Sequence, residues 1–231
     1  MSYKKSKPNI GVIVELPDDF DIAKPMDYNH VPGFFHRNDM NFYRDMAYLA
    51  NNGDHYVEIG TWLGRSAAVM INEFRKLNKK VRFDVIDHFE SISPEAIETG
   101  KQIGLETEGK DLTPGTKDTI KFMYDQFIAY MKACDVLRDM NPIISKSVEG
   151  AKLYEDESLD FVNIDANHDY EYIYEDVIAW YPKVKIGKII AGHDIQFDGV
   201  SKALNELLRG QYMICGTSWY CYKLDTKLNI N

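Results

Sequence analysis

The stretch Tyr56-Val57-Glu58-Ile59-Gly60-Thr61-Trp62-Leu63-Gly64-Arg65-Ser66 decides the fold. Apolar residues run straight into Gly60 and a tight turn reaches Gly64. Behind Ser66, a residue type that caps helices, Ala67, Met70, Ile71 and Phe74 recur at helical spacing. Strand, glycine turn and helix in immediate succession open a parallel α/β unit, and in such sheets ligands bind beyond the carboxyl ends of the strands. Glycines at 60 and 64 would let backbone approach a ligand, with free helix N–H groups aimed at it. The bland alternative is a turn whose glycines serve geometry alone. Trp62 stands where Gly-x-Gly-x-x-Gly needs its second glycine against a pyrophosphate, so a nicotinamide-dependent oxidoreductase is disfavoured.

Working outward, Met40, Tyr43, Met46, Ala47 and Ala50 predict a helix over Met40–Asn51, stopped by Asn51-Asn52-Gly53. His55–Ile59 reads as the strand after it. Before it, Pro8, Pro17, Pro25 and Pro32 break every helical pattern, so residues 1–39 read as an irregular segment and a candidate lid. Downstream, Val81–Asp87, Pro142–Ser145, Leu159–Asp165 and Lys188–Ile195 read as strands. Tyr170–Trp180, with Tyr170, Ile173, Tyr174 and Val177 inward, and Val200–Leu208 read as helices. Near-continuous apolar strands alternating with amphipathic helices predict an α/β domain over residues 40–231, its mostly parallel sheet covered on both faces. Ser91–Asp118, rich in charge, Gly and Thr, reads as an insertion or lid, and Gln211–Leu224 as an antiparallel hairpin around Gly216-Thr217-Ser218.

Composition narrows the function classes. The 231 residues hold 27 basic against 36 acidic side chains, a net charge of −9 that repels phosphate backbones, so no nucleic-acid partner is expected. The basic cluster Lys4, Lys5 and Lys7 reads as a solvated terminus. No apolar run approaches about 18 residues and no apolar signal core follows the first lysines, so neither a membrane span nor secretion is expected. Three cysteines, Cys134, Cys215 and Cys221, form no paired framework. A cytoplasmic protein is the expectation. The aromatic stretch Trp219-Tyr220-Cys221-Tyr222 could supply a homodimer edge, or simply pack in the core.

Two sets of polar residues fall at strand tips. Asp87 ends Phe83-Asp84-Val85-Ile86-Asp87, where a carboxylate grips ribose hydroxyls; with Glu90 it also has capping-box spacing. Glu58 can face a ligand's ammonium group or cap backbone amides. In the second set, Asn163-Ile164-Asp165-Ala166-Asn167-His168-Asp169-Tyr170 follows one strand and Ile190-Ala191-Gly192-His193-Asp194 ends the next. If those strands are neighbours, Asp165, His193 and Asp194 converge as a divalent-cation site, with His168 beside it as a base. Backbone satisfaction by Asp165, helix capping by His168 and an internal His193-Asp194 bond are the structural alternatives.

Together these segments, over residues 40–225, resemble class I S-adenosylmethionine-dependent methyltransferases, above all the small-molecule and sugar O-methyltransferases of the macrocin O-methyltransferase type. Glu58–Gly64 matches the family's E-x-G-x-x-x-G motif, Asp165–Tyr170 its D-x-x-H-x-Y stretch, and Ser147-Val148-Glu149-Gly150-Ala151 the segment that lines the adenine. The resemblance implies a Rossmann-like doubly wound seven-stranded sheet of order 3-2-1-4-5-7-6 with strand 7 antiparallel. It implies that Glu58, Gly60 and Gly64 hold the methionine part of S-adenosylmethionine, Asp87 the ribose and Ser147 the adenine, with Thr61, Trp62, Ser66, His88 and Asp165 completing the surroundings. It also implies a divalent ion, Mg or Mn, on Asp165, His193 and Asp194. Metal-dependent relatives usually offer an acid where His193 stands, which shifts the preference toward manganese, iron or zinc, or leaves the site metal-free. The expected reaction is O-methylation of a small hydroxylated molecule with His168 and Asp165 as catalytic residues; His36 and Arg37 are candidate substrate contacts. A catalytically silent cofactor-binding module on the same fold is the alternative.

Overall fold

Five apolar segments and a short hairpin assemble into one seven-stranded sheet: β1 His55–Ile59, β2 Arg82–Asp87, β3 Asn141–Ile144, β4 Leu159–Ile164, β5 Val184–Gly192, β6 Met213–Cys215 and β7 Ser218–Tyr222. The computed structural model describes residues 27–34, 37–92, 94, 97, 98, 101, 106–225 and 228–230. The strand order is β3-β2-β1-β4-β5-β7-β6. β1 to β5 pair in parallel, and β7 runs antiparallel to both neighbours, as expected. Helices α1 Arg37–Leu49, α2 Arg65–Lys76, α3 Lys117–Ala133, α4 Ser147–Ala151, α5 Tyr170–Trp180 and α6 Asp198–Leu208 cover the two faces. Among the described residues no helix is long and apolar enough to cross a membrane.

Side chains of a strand alternate between faces, so each central strand feeds two cores. Tyr56, Phe83 and Phe161 pack with α1, α2 and α3, while Val57, Ile59, Val162 and Ile164 pack with α5 and α6. The same alternation puts Glu58 and Asn163, partners in register, on the α1 face with no apolar role to play. Of the aromatic stretch, Trp219 and Cys221 are buried in the second core and Tyr220 packs against the first, while Tyr222 stays exposed, so core packing accounts for most of it.

Three local expectations change. Ser66 does not cap α2: the cap position is Gly64, at φ 90°, and Ser66 sits buried inside the first turn. β5 begins at Val184 rather than Lys188, because Gly187, at φ 78°, hides the continuation behind an irregularity in the β4–β5 register. It ends at Gly192 rather than Ile195, because Asp194 turns the chain through a left-handed φ of 62°. Helix α1 starts at Arg37, three residues before its apolar periodicity begins.

Both glycines of the β1–α2 turn are required, by protein neighbours. A Cβ on Gly60 would lie 2.0 Å from the Asp165 carbonyl oxygen, and one on Gly64 would meet Met131 Sδ at 2.8 Å and Phe127 Cε2 at 2.8 Å. Gly60→Ala should cost more than about 2 kcal/mol, combining left-handed strain with a backbone collision. Gly53→Ala shares the positive φ but meets nothing within 4 Å, so it should cost only about 1 kcal/mol. Urea midpoints of the two variants check the difference.

Candidate active site

The carboxyl ends of β2, β1, β4 and β5 form one rim, each tip hydrogen-bonded to the next. Gly60 N–H donates to the Ile86 carbonyl (2.8 Å), Asp165 N–H to Ile59 (2.8 Å) and His193 N–H to Ile164 (3.1 Å). Gly60, Asp87, Asp165 and His193-Asp194 therefore share one edge of the sheet. Trp62 (φ 48°), Phe89 (φ 53°) and Asp194 (φ 62°) hold left-handed backbones at these tips, a strain that rigid surroundings must sustain.

On the β1 side, Asp87 fixes the turn. Its Oδ2 accepts Trp62 N–H (2.8 Å) and its Oδ1 accepts Phe89 N–H (2.7 Å), which leaves each oxygen a further lone pair. Next to it, His88 Nδ1 accepts Glu90 N–H (2.8 Å). Trp62 stacks on Phe34 at 5.8 Å. Glu58 is fully buried; Ser66 Oγ donates to its Oε1 (2.7 Å) and Tyr43 Oη to its Oε2 (3.0 Å). Burial lifts its pKa to about 7, against the lowering effect of the Ser66, Tyr43 and Thr61 hydroxyls. Asn163 Nδ2 donates to Tyr43 Oη (2.8 Å) while its own Oδ1 is buried without a partner. On the adenine side, the Ser147 hydroxyl accepts Trp180 Nε1–H (2.9 Å), so it is turned toward α5.

The β4–β5 side is a charge cluster. His193 is buried between two pairs of acceptors. Its Nε2 lies 2.8 Å from Thr217 Oγ1 and 3.2 Å from Asp39 Oδ1; its Nδ1 lies 3.3 Å from Asp194 Oδ2 and 3.6 Å from Asp165 Oδ1. Because Thr217 gives its own proton to Asp39 (2.5 Å), it can only accept from His193, and both ring nitrogens must donate. Burial alone would lower the His193 pKa, but Asp194, Asp39 and Asp165 raise it to about 11, so the ring is an imidazolium at neutral pH. An imidazolium has no lone pair for a metal ion. His168 Nε2 donates to Asp194 Oδ2 (2.7 Å), and its ring stacks on Phe197 at 4.7 Å and 5°. Gly199 lets α6 press against this turn, since a Cβ there would lie 2.4 Å from the His168 carbonyl oxygen. The bond to Asp194 raises the His168 pKa, and its two histidine partners hold Asp194 low despite burial. Asp165, half-buried beside Asp194, is raised to about 6 by desolvation and the neighbouring carboxylate. Asp165, His168 and Asp194 each bring a ligand atom within 4.8 Å of the others, a spacing that suits a cation; His193 is not part of that set.

A family model described as a methyltransferase domain matches residues 57–195, more than half the chain and the whole of this rim. The chain belongs to this methyltransferase family. As a member it is a methyltransferase that uses S-adenosylmethionine. No curated protein matches the methyltransferase in sequence. Among solved structures it is similar to a SAM-dependent O-methyltransferase from Thermotoga maritima (12% identity, 83% of this chain and 67% of that one, TM-score 0.54). It is similar also to cofactor-bound Rv0187 from MTB (12%, 82% and 82%, 0.53) and to the calicheamicin methyltransferase CalS11 (13%, 82% and 81%, 0.51). At these identities the likeness is one of fold.

Of the expected site residues, the structure brings together Glu58, Gly60, Thr61, Trp62, Ser66, Asp87, His88, Asp165, His168, His193 and Asp194 at one end of the methyltransferase sheet. His36 and the Arg37 side chain lie outside the described residues, as do most of residues 1–39 and part of 91–118. Four groups were not anticipated: Asp39 and Tyr43 on α1, Asn163 on β4, and Thr217 in the β6–β7 turn. Asp39 had a signal, since it shares a helical face with Tyr43, Met46 and Ala50 and a lone acid on an apolar stripe asks for a buried partner. Asp39→Asn keeps the shape but leaves His193 with one carboxylate fewer. Breaking a buried pair should lower stability by about 3–5 kcal/mol, read from chemical denaturation at pH 7.

Proposed function

We propose that the protein transfers the S-adenosylmethionine methyl group to a hydroxyl oxygen of a small molecule or sugar, with His168 taking the hydroxyl proton. The observation that carries this reading is the His168–Asp194 dyad on the same rim as the Gly60 turn. When bound, the sulfonium donor supplies an already activated methyl group, which leaves the chain two tasks, alignment and proton removal. The family's donor fits the residues present. Asp87 keeps a lone pair on each oxygen for ribose hydroxyls. Glu58 and the unpartnered Asn163 Oδ1 offer buried acceptors for an ammonium group. Gly60, Thr61, Trp62, Gly64 and Ser66 form the turn around the methionine part, His88 and Asp165 flank it, and Ser147 stands at the adenine with its backbone.

At the acceptor, Asp194 accepts the Nε2 proton of His168 and so leaves Nδ1 as the basic nitrogen. The same carboxylate stabilises the imidazolium formed when the hydroxyl proton arrives, the logic of a carboxylate-backed histidine. Asp165 and the fixed charge of His193 complete the electrostatic frame. Because Asp194 raises the His168 pKa above its ordinary 6.5, the free base is the minority form at that pH and grows as pH rises. The acid limb of kcat should therefore lie above pH 6.5 in a stopped assay with a saturating donor; a limb below it removes His168 as the base.

A second reading rests on the convergence of Asp165, His168 and Asp194. Two carboxylates and an imidazole would hold a divalent ion, manganese more readily than magnesium, and such an ion supplies polarisation of the acceptor hydroxyl. It would occupy the imidazole that the first reading keeps as base. Activity abolished by EDTA and restored by manganese favours the ion; activity indifferent to EDTA favours the dyad. Transfer of labelled methyl to a panel of hydroxylated acceptors, with calorimetry of S-adenosylmethionine and S-adenosylhomocysteine, tests the whole proposal. Binding of neither ligand would refute it.

A further inference from the structure

At the amino ends of β2 and β3, the opposite edge of the sheet from the rim, lies an open groove of about 820 Å³. Phe74, Val81, Phe83 and Met140 give it an apolar floor. Its walls carry five cations, Arg75, Lys79, Lys80, Arg82 and Arg138, against the two carboxylates Asp84 and Asp139. On a chain of net charge −9 this is an inverted patch. Its source is Arg75-Lys76-Leu77-Asn78-Lys79-Lys80-Val81-Arg82, with five cations in eight residues, a longer run than Lys4, Lys5 and Lys7. Cations in the last turn of α2 complement the helix dipole, which explains Arg75 and Lys76. It does not explain Lys80 and Arg82 beyond the helix, or Arg138 from the separate turn before β3.

The two carboxylates do not quench the patch. Asp84 is buried and already accepts His55 Nε2 (2.8 Å), Tyr154 Oη (2.9 Å) and Asn141 Nδ2 (3.3 Å) in addition to Arg82. Asp139 is held by Arg75 (Nε at 2.8 Å), which ties α2 to the turn that carries Arg138. Lys79 Nζ rests on the carbonyls of Tyr48 and Ala50, and Lys80 has no ion pair among the described residues. Arg82 and Arg138 are 64% and 72% exposed, and ion pairs at such positions hold side chains weakly. Arg82 now donates to Asp84 and Arg138 to Asp135 Oδ2 (3.0 Å), exposed pairs that an incoming anion can displace, and both guanidinium forks match phosphate oxygens.

We propose that this groove is a binding site for a small phosphorylated molecule, its phosphates met by Lys80, Arg82 and Arg138 and its organic part lying on Val81 and Met140. The volume is that of a small-molecule site. The negative field of the rest of the chain opposes an extended polyanion, so a compact ligand is favoured over nucleic acid. The site is independent of the methyl-transfer rim, and neither needs the other to be occupied.

Titration of the full chain with inorganic pyrophosphate, followed by calorimetry and amide NMR shifts, tests the assignment. Saturable binding is expected, with shifts at residues 75–84 and 138–141 and none at 58–66, and with affinity falling as salt rises from about 50 to about 200 mM. Lys80→Glu and Arg138→Glu, both exposed positions, should each weaken binding by about tenfold or more while S-adenosylmethionine affinity and melting temperature stay unchanged. Shifts confined to residues 58–66, wild-type affinity in both variants, or absence of pyrophosphate binding would overturn the site. Single-stranded RNA binding there while pyrophosphate does not would replace the small ligand by a nucleic acid.

Discussion

His168→Ala should reduce methyl transfer by about 10²–10⁴-fold, the range that a positioned general base contributes, while leaving S-adenosylmethionine affinity nearly intact. The two effects separate because His168 stands at the β4 tip beyond Asp165, backed by Asp194 and stacked on Phe197, whereas the groups suited to the cofactor cluster around Glu58, Gly60 and Asp87. Phe197→Ala should give a smaller loss of the same kind. Removing the flat surface lets the imidazole rotate about its bond to Asp194, so kcat falls while the acid limb of the pH profile stays in place. The measurement is kcat and KM for both substrates, with calorimetry of the cofactor alone. Equal loss of cofactor affinity and turnover in His168→Ala would mean that the ring merely supports the β4–α5 turn.

Much of this geometry is legible in the chain because short-range chemistry announces it. An apolar run ending in Gly60, a second glycine four residues on and helical spacing behind it leave few alternatives to strand, turn and helix. The ends of β4 and β5 are legible for the same reason, as polar residues abruptly following buried ones. The strand order follows from the family resemblance alone, since periodicity fixes elements and not their neighbours. What was hidden is what joins distant parts of the chain. Thr217 meets Asp39 across 178 residues, and Asn163 meets Tyr43 across 120. Nothing local to either partner records the other. His193 shows the consequence. Read alone beside Asp194 it is a metal ligand; surrounded by Asp39, Asp165, Asp194 and Thr217 it is a buried cation. Ser66 differs for a local reason: Gly64 takes the cap position, which frees the hydroxyl to reach Glu58.

Glu58→Gln should make the protein more stable and its cofactor binding weaker. Burial raises the Glu58 pKa from 4.5 to about 7, so the folded chain holds a proton there that the unfolded chain has released. Stability is therefore lost as pH rises from 4.5 through 7, and above 7 the penalty is complete, on the order of 3 kcal/mol. Glutamine removes that penalty and still meets the rotatable hydroxyls of Ser66 and Tyr43. Its advantage over the wild type should be largest near pH 8 and vanish toward pH 4.5, as read from denaturation midpoints across that range. A carboxylate kept in so costly a place needs a compensating positive charge, and the ammonium group of S-adenosylmethionine is the one the proposed function brings to it. Affinity of the wild type should then rise with pH through about 7 and binding near pH 6.5 should release protons, seen as a dependence of the calorimetric heat on buffer ionisation enthalpy. In Glu58→Gln the affinity should drop by about tenfold or more and both dependences should disappear. A variant that gains stability yet binds the cofactor as before would instead leave Glu58 as a tie between Ser66 and Tyr43, with the ammonium group held by other acceptors such as Asn163 Oδ1.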